Sequence, residues 1–382
     1  MAVEIKKVTS KADLKTFIRF NYHLYKDNPY SVPDLYEDML DTFNPKKNGA
    51  YEFCETELFL AYRDGEVVGR VACLINHKAN RTWNTRNARF GWIDFIDDLE
   101  VSRALLDTAE AWAREYQCDK LIGPMGFTDL DAEGMLIEGF DQLSTMSTIY
   151  NYPYYPEHLE AHGYEREIDW SERKIYVPRP GHEADYERYF RVAEIVRKRS
   201  NLHIRKFKSV KEIKDGNYIY RLFDVINRSY APLFGFSEIN RRQIDKYADQ
   251  YLHFLDLRLL VVVENEDNEP VAMGIGMASL SRALQKAKGK LFPFGWWHLL
   301  KALYWKRSHI IDLLLVGVLP EYQNKGVNAL LFCDLIPEYI KLGAEYAESN
   351  IELETNTAVQ AQWDYFKREH HKTRRVFIKK LI

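Results

Sequence analysis

The stretch Leu313–Leu331 (LLLVGVLPEYQNKGVNALL) sets an apolar run, a proline, a polar turn with one glycine and a second apolar run in immediate succession. That order predicts a buried strand, a turn and a helix. The first amides of a helix have no intrahelical acceptors and lie at the positive end of its dipole, so such a turn can hold an anion such as a pyrophosphate. Gly326 allows close main-chain approach there, and Lys325 adds a positive charge. A second group of chemically able residues lies in Gly123–Phe140 (GPMGFTDLDAEGMLIEGF), where Asp129, Asp131 and Glu133 stand among glycines. Tyr150–Tyr155 (YNYPYY) follows, with Tyr150 and Tyr154 in it. A glycine-rich acidic loop beside aromatic rings can accept an ammonium group. It reads as well as a purely structural loop, and its spacing is not that of a calcium-binding EF-hand.

Other chemistries find no support. No His/Cys pair has metal-ligand spacing, and neither a Gly-x-Ser-x-Gly nor a GxxxxGK[ST] segment occurs, so metal catalysis, nucleophilic hydrolysis and nucleotide hydrolysis are disfavoured and no metal is expected. With 53 Lys+Arg against 56 Asp+Glu the net charge is -3, which gives no field to draw nucleic acid, and none is expected as a partner. The four cysteines (Cys54, Cys73, Cys118, Cys333) are scattered and too few for a disulfide framework, which points to a reducing interior. The first ten residues carry no apolar signal core, and no window reaches the roughly 18 apolar residues of a spanning helix. A cytoplasmic protein is expected, one able to lie peripherally on the inner face of a membrane.

The 382 residues, 46% hydrophobic and 29% charged, are enough for two domains with large cores. Both halves run through the same order of elements. In the first, a strand at Val3–Val8 and a helix through Leu14, Phe17 and Ile18 precede a hairpin (Glu57–Tyr62, Val67–Ile75), a strand at Phe90–Ile96 and a helix over Val101–Tyr116. In the second, Leu259–Val263, Val271–Ala278, Ile310–Val318 and a helix from about Gly326 repeat it. Ile93-Asp94-Phe95-Ile96 lies over Ile311-Asp312-Leu313-Leu314, and Ala104-Leu105-Leu106 over Ala329-Leu330-Leu331, with seven more residues between these anchors in the second half. The extra residues fall in the anion-holding turn. We expect an α/β (α+β) chain of two domains, 1–178 and 182–382, split near Pro178-Arg179-Pro180-Gly181, each a mixed, mostly antiparallel sheet flanked by helices.

The turn Val318-Leu319-Pro320-Glu321-Tyr322-Gln323-Asn324-Lys325-Gly326 resembles the coenzyme A loop of the GNAT N-acetyltransferases, Val-x-Pro-x-Tyr-[Arg/Gln]-x-x-Gly-x-[Gly/Ala]. It departs from that pattern at Asn328, where the family has a small residue; Ala329 follows directly. The resemblance covers the second half well and the first through element order and the Leu159–Tyr164 segment. It implies two tandem GNAT-like domains and an acyltransferase that uses acetyl-CoA or a longer acyl-CoA as its donor. It also implies that main-chain groups from Val316 to Val318 pair with the pantetheine arm. Amides from Asn324 to Ala329, including Val327 and Asn328 and flanked by Gln323, would hold the pyrophosphate, and Asn356 would contact the pantetheine. The first half instead has Asp97–Val101 (DDLEV) at the equivalent turn, where acidic groups would repel phosphate, and is expected to be a degenerate partner that shapes the acceptor pocket. Some tandem relatives look like fatty-acyl transferases and bacterial ceramide synthases, which points toward a lipid amine as acceptor.

Amide formation from a thioester needs a neutral amine, a polarised carbonyl and a protonated leaving thiolate. Asp312 on the fourth strand of the second half, and Glu352 and Glu354 on the strand-like Ser349–Glu354, are the catalytic candidates; period-two alternation puts the two glutamates on one face. A solvated or salt-bridged face is the somewhat commoner reading of such carboxylates. Tyr365 is the candidate acid, by its position near the family's tyrosine, and reads also as packing. Between Val271 and Ile311 there is no acidic residue, while seven are basic and six aromatic, and an insertion spans 280–309. On a helix, Trp296, Leu299, Leu300, Leu303 and Tyr304 form an apolar stripe, so Trp296, Trp297 and Trp305 either meet a membrane surface or bury against the first half. The leading expectation is an acyl-CoA-dependent N-acyltransferase acting on an amine; the alternatives are an aminoacyl-tRNA-dependent transferase of the peptidoglycan-bridge type and a non-catalytic peripheral lipid-binding protein.

Overall fold

A computed structural model of the chain describes residues 2–179, 181, 187–252 and 254–381, without the side chains of residues 188, 358 and 365. In the first half, β1 (Glu4–Lys7), β2 (Cys54–Arg63), β3 (Glu66–Asn76), β4 (Asn87–Phe95) and β5 (Lys120–Gly123) lie side by side in that order, with β6 (Met135–Glu138) and β7 (Glu165–Tyr176) beyond them. The second half supplies β8 (His203–Arg205), β9 (Leu260–Glu264), β10 (Pro270–Ala278), β11 (Ile310–Val318), β12 (Tyr346–Glu348), β13 (Glu352–Leu353) and β14 (Arg368–Lys380). All belong to one sheet ordered β1-β2-β3-β4-β5-β14-β7-β12-β11-β10-β9-β8, with β6 on β14 and β13 on β7. Among the described residues only β4 with β5 and β11 with β12 pair in parallel, the same step in each half.

Local sequence explains most of this. Ser10 and Asp13 form a capping box that starts the helix Lys11–Leu24. Asp64 and Gly65, with φ of 54° and 84°, close the β2–β3 hairpin in the twist that suits it. Val101, Leu105, Ala109 and Trp112 recur at helical spacing, and the helix Leu99–Glu115 buries them on the first half's sheet. Each large apolar side chain so buried contributes about 1.5–3 kcal/mol. Leu330, Leu331 and Leu335 do the same for the helix Val327–Lys341.

The last strand was not foreseen in its place. β14 leaves the second half and inserts between β5 and β7 of the first, with Ile378 opposite Ile122 and Thr373 opposite Ser171. Lys372 and Arg374 are fully buried against the equally buried Glu172, with Lys372 Nζ 3.0 Å from its carboxylate. Burial opposes the Glu172 charge, but Arg374 and Lys372 outweigh it and hold the carboxyl down to about 2.

The insertion forms two helices, Ser281–Ala287 and Gly295–Tyr304. Their inner faces bring Leu284, Leu299 and Leu303 onto Met277 and Leu280. The expected apolar stripe is therefore split. Leu299 and Leu303 turn inward, while Trp296 and Tyr304 stay outside with Trp297, Trp305, Phe292 and Phe294. Gln285 ties this unit to the first half, its amide donating to the carbonyls of Ser31 (2.8 Å) and Pro29 (2.9 Å).

Candidate functional site: a forked strand pair over an acidic cavity

β11 pairs with β10 along its length but with β12 only from Ile310 to Asp312, opposite Tyr346 to Glu348. Beyond Asp312 the two strands part. Residues of one parity turn both main-chain groups to the same side of a strand. On that side the Leu314 carbonyl accepts from the Asn350 amide (3.3 Å) and the Val316 carbonyl from the Tyr230 hydroxyl (3.1 Å). The fork opens into a cavity of about 540 Å³ between the halves, lined by Leu313–Val316 and Ser349–Leu353. Its walls are largely apolar: Leu222, Phe223 and Ile226 on one side, Trp170, Phe234 and Leu353 on another.

The first half supplies the charge. Asp129, Asp131 and Glu133 line this same cavity. Asp129 accepts from the Ser237 amide (3.1 Å) and Asp131 from the Thr128 amide (3.0 Å). Burial pushes all three carboxyls upward, and the charge of Asp129 raises Glu133 further. Glu133 is 3% exposed and its Oε1 has no hydrogen-bond partner among the described residues. Tyr150 and Tyr154 do not reach the cavity: they pack in the first half's own core, donating to the carbonyls of Phe140 (2.9 Å) and Phe95 (2.6 Å). Their rings are needed to cover the sheet, which is the commoner use of clustered aromatics.

At the far end of β11, the turn runs as the spacing predicts. Gln323 donates back to the Val318 carbonyl (3.0 Å), Asn324 and Lys325 are exposed, and Gly326 (φ 77°) precedes the helix Val327–Lys341 without any side-chain cap. Val327 and Ala329 face the core, and Asn328 donates to the Gln362 side chain (3.2 Å). A Cβ on Gly326 would stand 2.8 Å from Val196 Cγ2, so glycine here also admits the helix Glu187–Arg199. Asn356 lines the cavity and caps the short helix Thr357–Ala361 through the Val359 amide (3.3 Å).

The remaining candidates sit around the fork. Asp312 lies at its root, 3% exposed and outside the cavity lining. Burial, then the neighbouring Glu348 charge, pushes its carboxyl up to about 8, against the opposing effect of Ser279 and Lys372. Glu352 lines the cavity, yet both oxygens are engaged, one by Arg173 (2.5 Å) and one by the Trp363 indole N–H (2.5 Å). Glu354 does not share its face: β13 ends at Leu353, and Glu354 lies outside, bonded to Arg166 and to the Asp169 amide (3.2 Å). The Tyr365 side chain lies outside the described residues. Sequence reasoning missed Asp34 and Asp38, two further carboxylates of the cavity lining.

The chain is 26% identical over 385 aligned positions to Protein YghO of Escherichia coli (strain K12), spanning 99% of this chain and 95% of that one. It is 25% identical over 382 positions to a bacterial ceramide synthase of Caulobacter vibrioides (strain NA1000 / CB15N), spanning 98% and 96%. No family model matches it. A solved tandem GNAT protein from the clavulanic acid biosynthesis pathway superposes with a TM-score of 0.54 at 11% identity, covering 100% of this chain and 99% of that one. A GCN5-related N-acetyltransferase from Sphaerobacter thermophilus does so with a TM-score of 0.50 at 12% identity, covering 99% and 96%.

Proposed function

We propose that this chain, which has the tandem GNAT fold, is an N-acyltransferase that takes an acyl group from acyl-CoA and passes it to an amine borne on an apolar, lipid-like body. One observation carries the reading: a single apolar cavity has the opened β11 edge at one wall and the carboxylates of the other half at another. Donor and acceptor can then meet inside it.

Coenzyme A, as donor, would bring the activated thioester. Amides between Asn324 and Asn328, with Lys325 beside them, would face its pyrophosphate, the Ala329 amide being taken by the Gly326 carbonyl (3.0 Å); Val316 and Val318 would pair with its pantetheine, and Asn356 would flank that arm. The fit rests on a helix start left free by its own side chains. Asp129, Asp131 and Glu133 would form the acidic wall that draws the acceptor's ammonium into the cavity, for which a low-dielectric site is selective. Asp312, neutral near pH 7, and Glu352, fixed by Arg173 and Trp363, would brace the fork. The relative named a ceramide synthase supports an acceptor with a long apolar part.

We place the protein at the inner face of a membrane. The support is a ridge of exposed rings, Trp296, Trp297 and Trp305 among them, in a segment with seven basic and no acidic residues. Among the described residues no helix is long and apolar enough to cross a bilayer.

Calorimetric titration with coenzyme A, acetyl-CoA and palmitoyl-CoA tests the donor, and thiol release in the presence of a long-chain amine tests the transfer. Absence of affinity for all three nucleotides would remove the proposal.

A further inference from the structure

The cavity's acidic end holds one carboxylate whose placement differs from the rest. Asp34 lies in the loop before the helix Tyr36–Thr42. The loop is fixed from both halves: Tyr22 donates to the Asp34 carbonyl (3.0 Å), and the amide of Tyr36 donates to the Gly289 carbonyl of the insertion (2.8 Å). Asp34 is exposed and lines the cavity. Among the described residues none hydrogen-bonds its carboxylate. A loop held by these two hydrogen bonds thus presents an unpaired carboxylate to a largely apolar chamber.

Its surroundings define what it can take. Asp38, Asp129, Asp131 and Glu133 share the lining, against a single basic side chain there, Lys246, among the described residues. Glu133 Oε1, buried and unpartnered, adds an unmet demand for a donor in the same chamber. A bare metal ion fits poorly: among the described residues the trio placed to share one is Glu172, Glu348 and His371, elsewhere in the sheet, not these carboxylates. An ammonium group satisfies separated carboxylates one hydrogen bond at a time, and the apolar walls suit a chain attached to it.

We infer that Asp34 seats the acceptor's ammonium group and takes its proton, the occupant being a primary amine on an apolar chain. The inference rests on the transferase reading above. The ammonium gives one proton to the Asp34 carboxylate, and the freed nitrogen lone pair forms the N–C bond to the thioester carbonyl carbon. The C–S bond breaks, its electron pair leaves on sulfur, and sulfur takes the second nitrogen proton and departs as the thiol. Burial pushes the Asp34 carboxyl up to about 6, with Asp38, Asp94 and Asp131 opposed by Arg70 around it, so near pH 7 it is ionised and a stronger proton acceptor than an ordinary aspartate. The insertion that carries the exposed rings is also bonded to this loop, through Gly289 and Gln285.

Calorimetry on the full chain with dodecylamine and dodecan-1-ol, below their aggregation limits, separates charge from tail. The intact protein should bind the amine about tenfold more tightly than the alcohol, the difference expected of one charge-assisted hydrogen bond. Asp34→Asn should abolish that preference while leaving dodecanol and palmitoyl-CoA affinity unchanged, which also shows that it folds; Asp34→Glu should keep it. With palmitoyl-CoA and dodecylamine, thiol release by Asp34→Asn should fall by about a hundredfold or more. If Asp34→Asn keeps both the preference and the rate, Asp34 is not the seat, though the transferase reading stands. If the intact chain prefers the amine through Asp34 but neither binds nor turns over palmitoyl-CoA, the seat stands and the transferase reading falls.

Discussion

Asp98 and Gly326 occupy the same place in the two halves, the residue before the helix that follows the fourth strand of each, and they leave those helix starts in opposite states. Asp98 turns its carboxylate onto the amides of Glu100 (2.9 Å) and Val101 (3.3 Å) and is itself held by Arg63. Gly326 has no side chain to offer, and its helix start has no side-chain cap. A phosphate would find the first position already filled by an anion and the second open.

Replacing Gly326 with valine should therefore act twice. Its φ of 77° suits few residues other than glycine, and the new Cβ would press on Val196 at 2.8 Å. We expect a loss of roughly 2 kcal/mol in denaturant unfolding. Palmitoyl-CoA affinity should fall at least about tenfold, the cost of displacing one or two amide contacts. Unchanged affinity in the folded variant would take the turn out of the donor site.

Asp98→Ala is the counterpart. Losing the cap should cost about 1 kcal/mol of stability, as such caps commonly do. Affinity for palmitoyl-CoA should stay where it was and no second binding event should appear in the titration. A second nucleotide bound per chain would mean that the carboxylate alone had kept the first half empty.

Much of this contrast was legible because it is local. A run such as Ile310–Val318 declares itself by composition, and the strand in the structure has those same bounds. Alternation carries no partner identity, however, so nothing in Arg368–Lys380 announced that it would cross between β5 and β7 or bury Lys372 and Arg374 on Glu172. Asp34 was illegible for the same reason: Pro33 and Asn28 mark a turn, and only packing of the insertion on that turn aims it inward. Tyr150 and Tyr154 pack in the first half's core instead of lining this cavity, and a cluster of rings beside an acidic loop has the same sequence signature in either place.

Asp312 has its own counterpart in Asp94. Opposite Asp94 on the neighbouring strand stands Arg70, which binds it; opposite Asp312 stands Met277. With its carboxyl pushed up from the model-peptide 3.8 to about 8, Asp312 keeps its proton in the folded chain and would lose it on unfolding. Between those values the unfolded state binds fewer protons, so this residue makes stability fall as pH rises from about 4 to about 8 and level off above. Asp312→Asn has no such dependence. Its stability relative to the parent, measured by urea unfolding at several pH values, should increase across that window by on the order of 1 kcal/mol or more, one pH unit being worth about 1.4 kcal/mol at most. Parallel curves would place an ion pair at Asp312 that keeps it charged.

The exposed ridge makes the remaining prediction. Trp296, Trp297 and Trp305 are 41%, 48% and 66% exposed, with Trp297 and Trp305 in ring contact at 5.7 Å. Lys288, Lys290, Lys301, Lys306 and Arg307 share their segment. Rings of this kind settle at the headgroup level, and each nearby cation adds about 1 kcal/mol of attraction to an anionic leaflet. The chain should sediment with phosphatidylglycerol vesicles, less with phosphatidylcholine, and less again in high salt. Changing the three tryptophans to serine should lower the bound fraction by about tenfold or more while the thermal midpoint moves little, because side chains this open contribute little to the core. Equal sedimentation of the triple variant would assign the rings another role and move the acceptor's entry away from them. If the ridge serves delivery and the chemistry lies at Asp34, dodecylamine offered in micelle-free solution should still be acylated by that variant; a parallel loss of that activity would show that the insertion shapes the cavity itself.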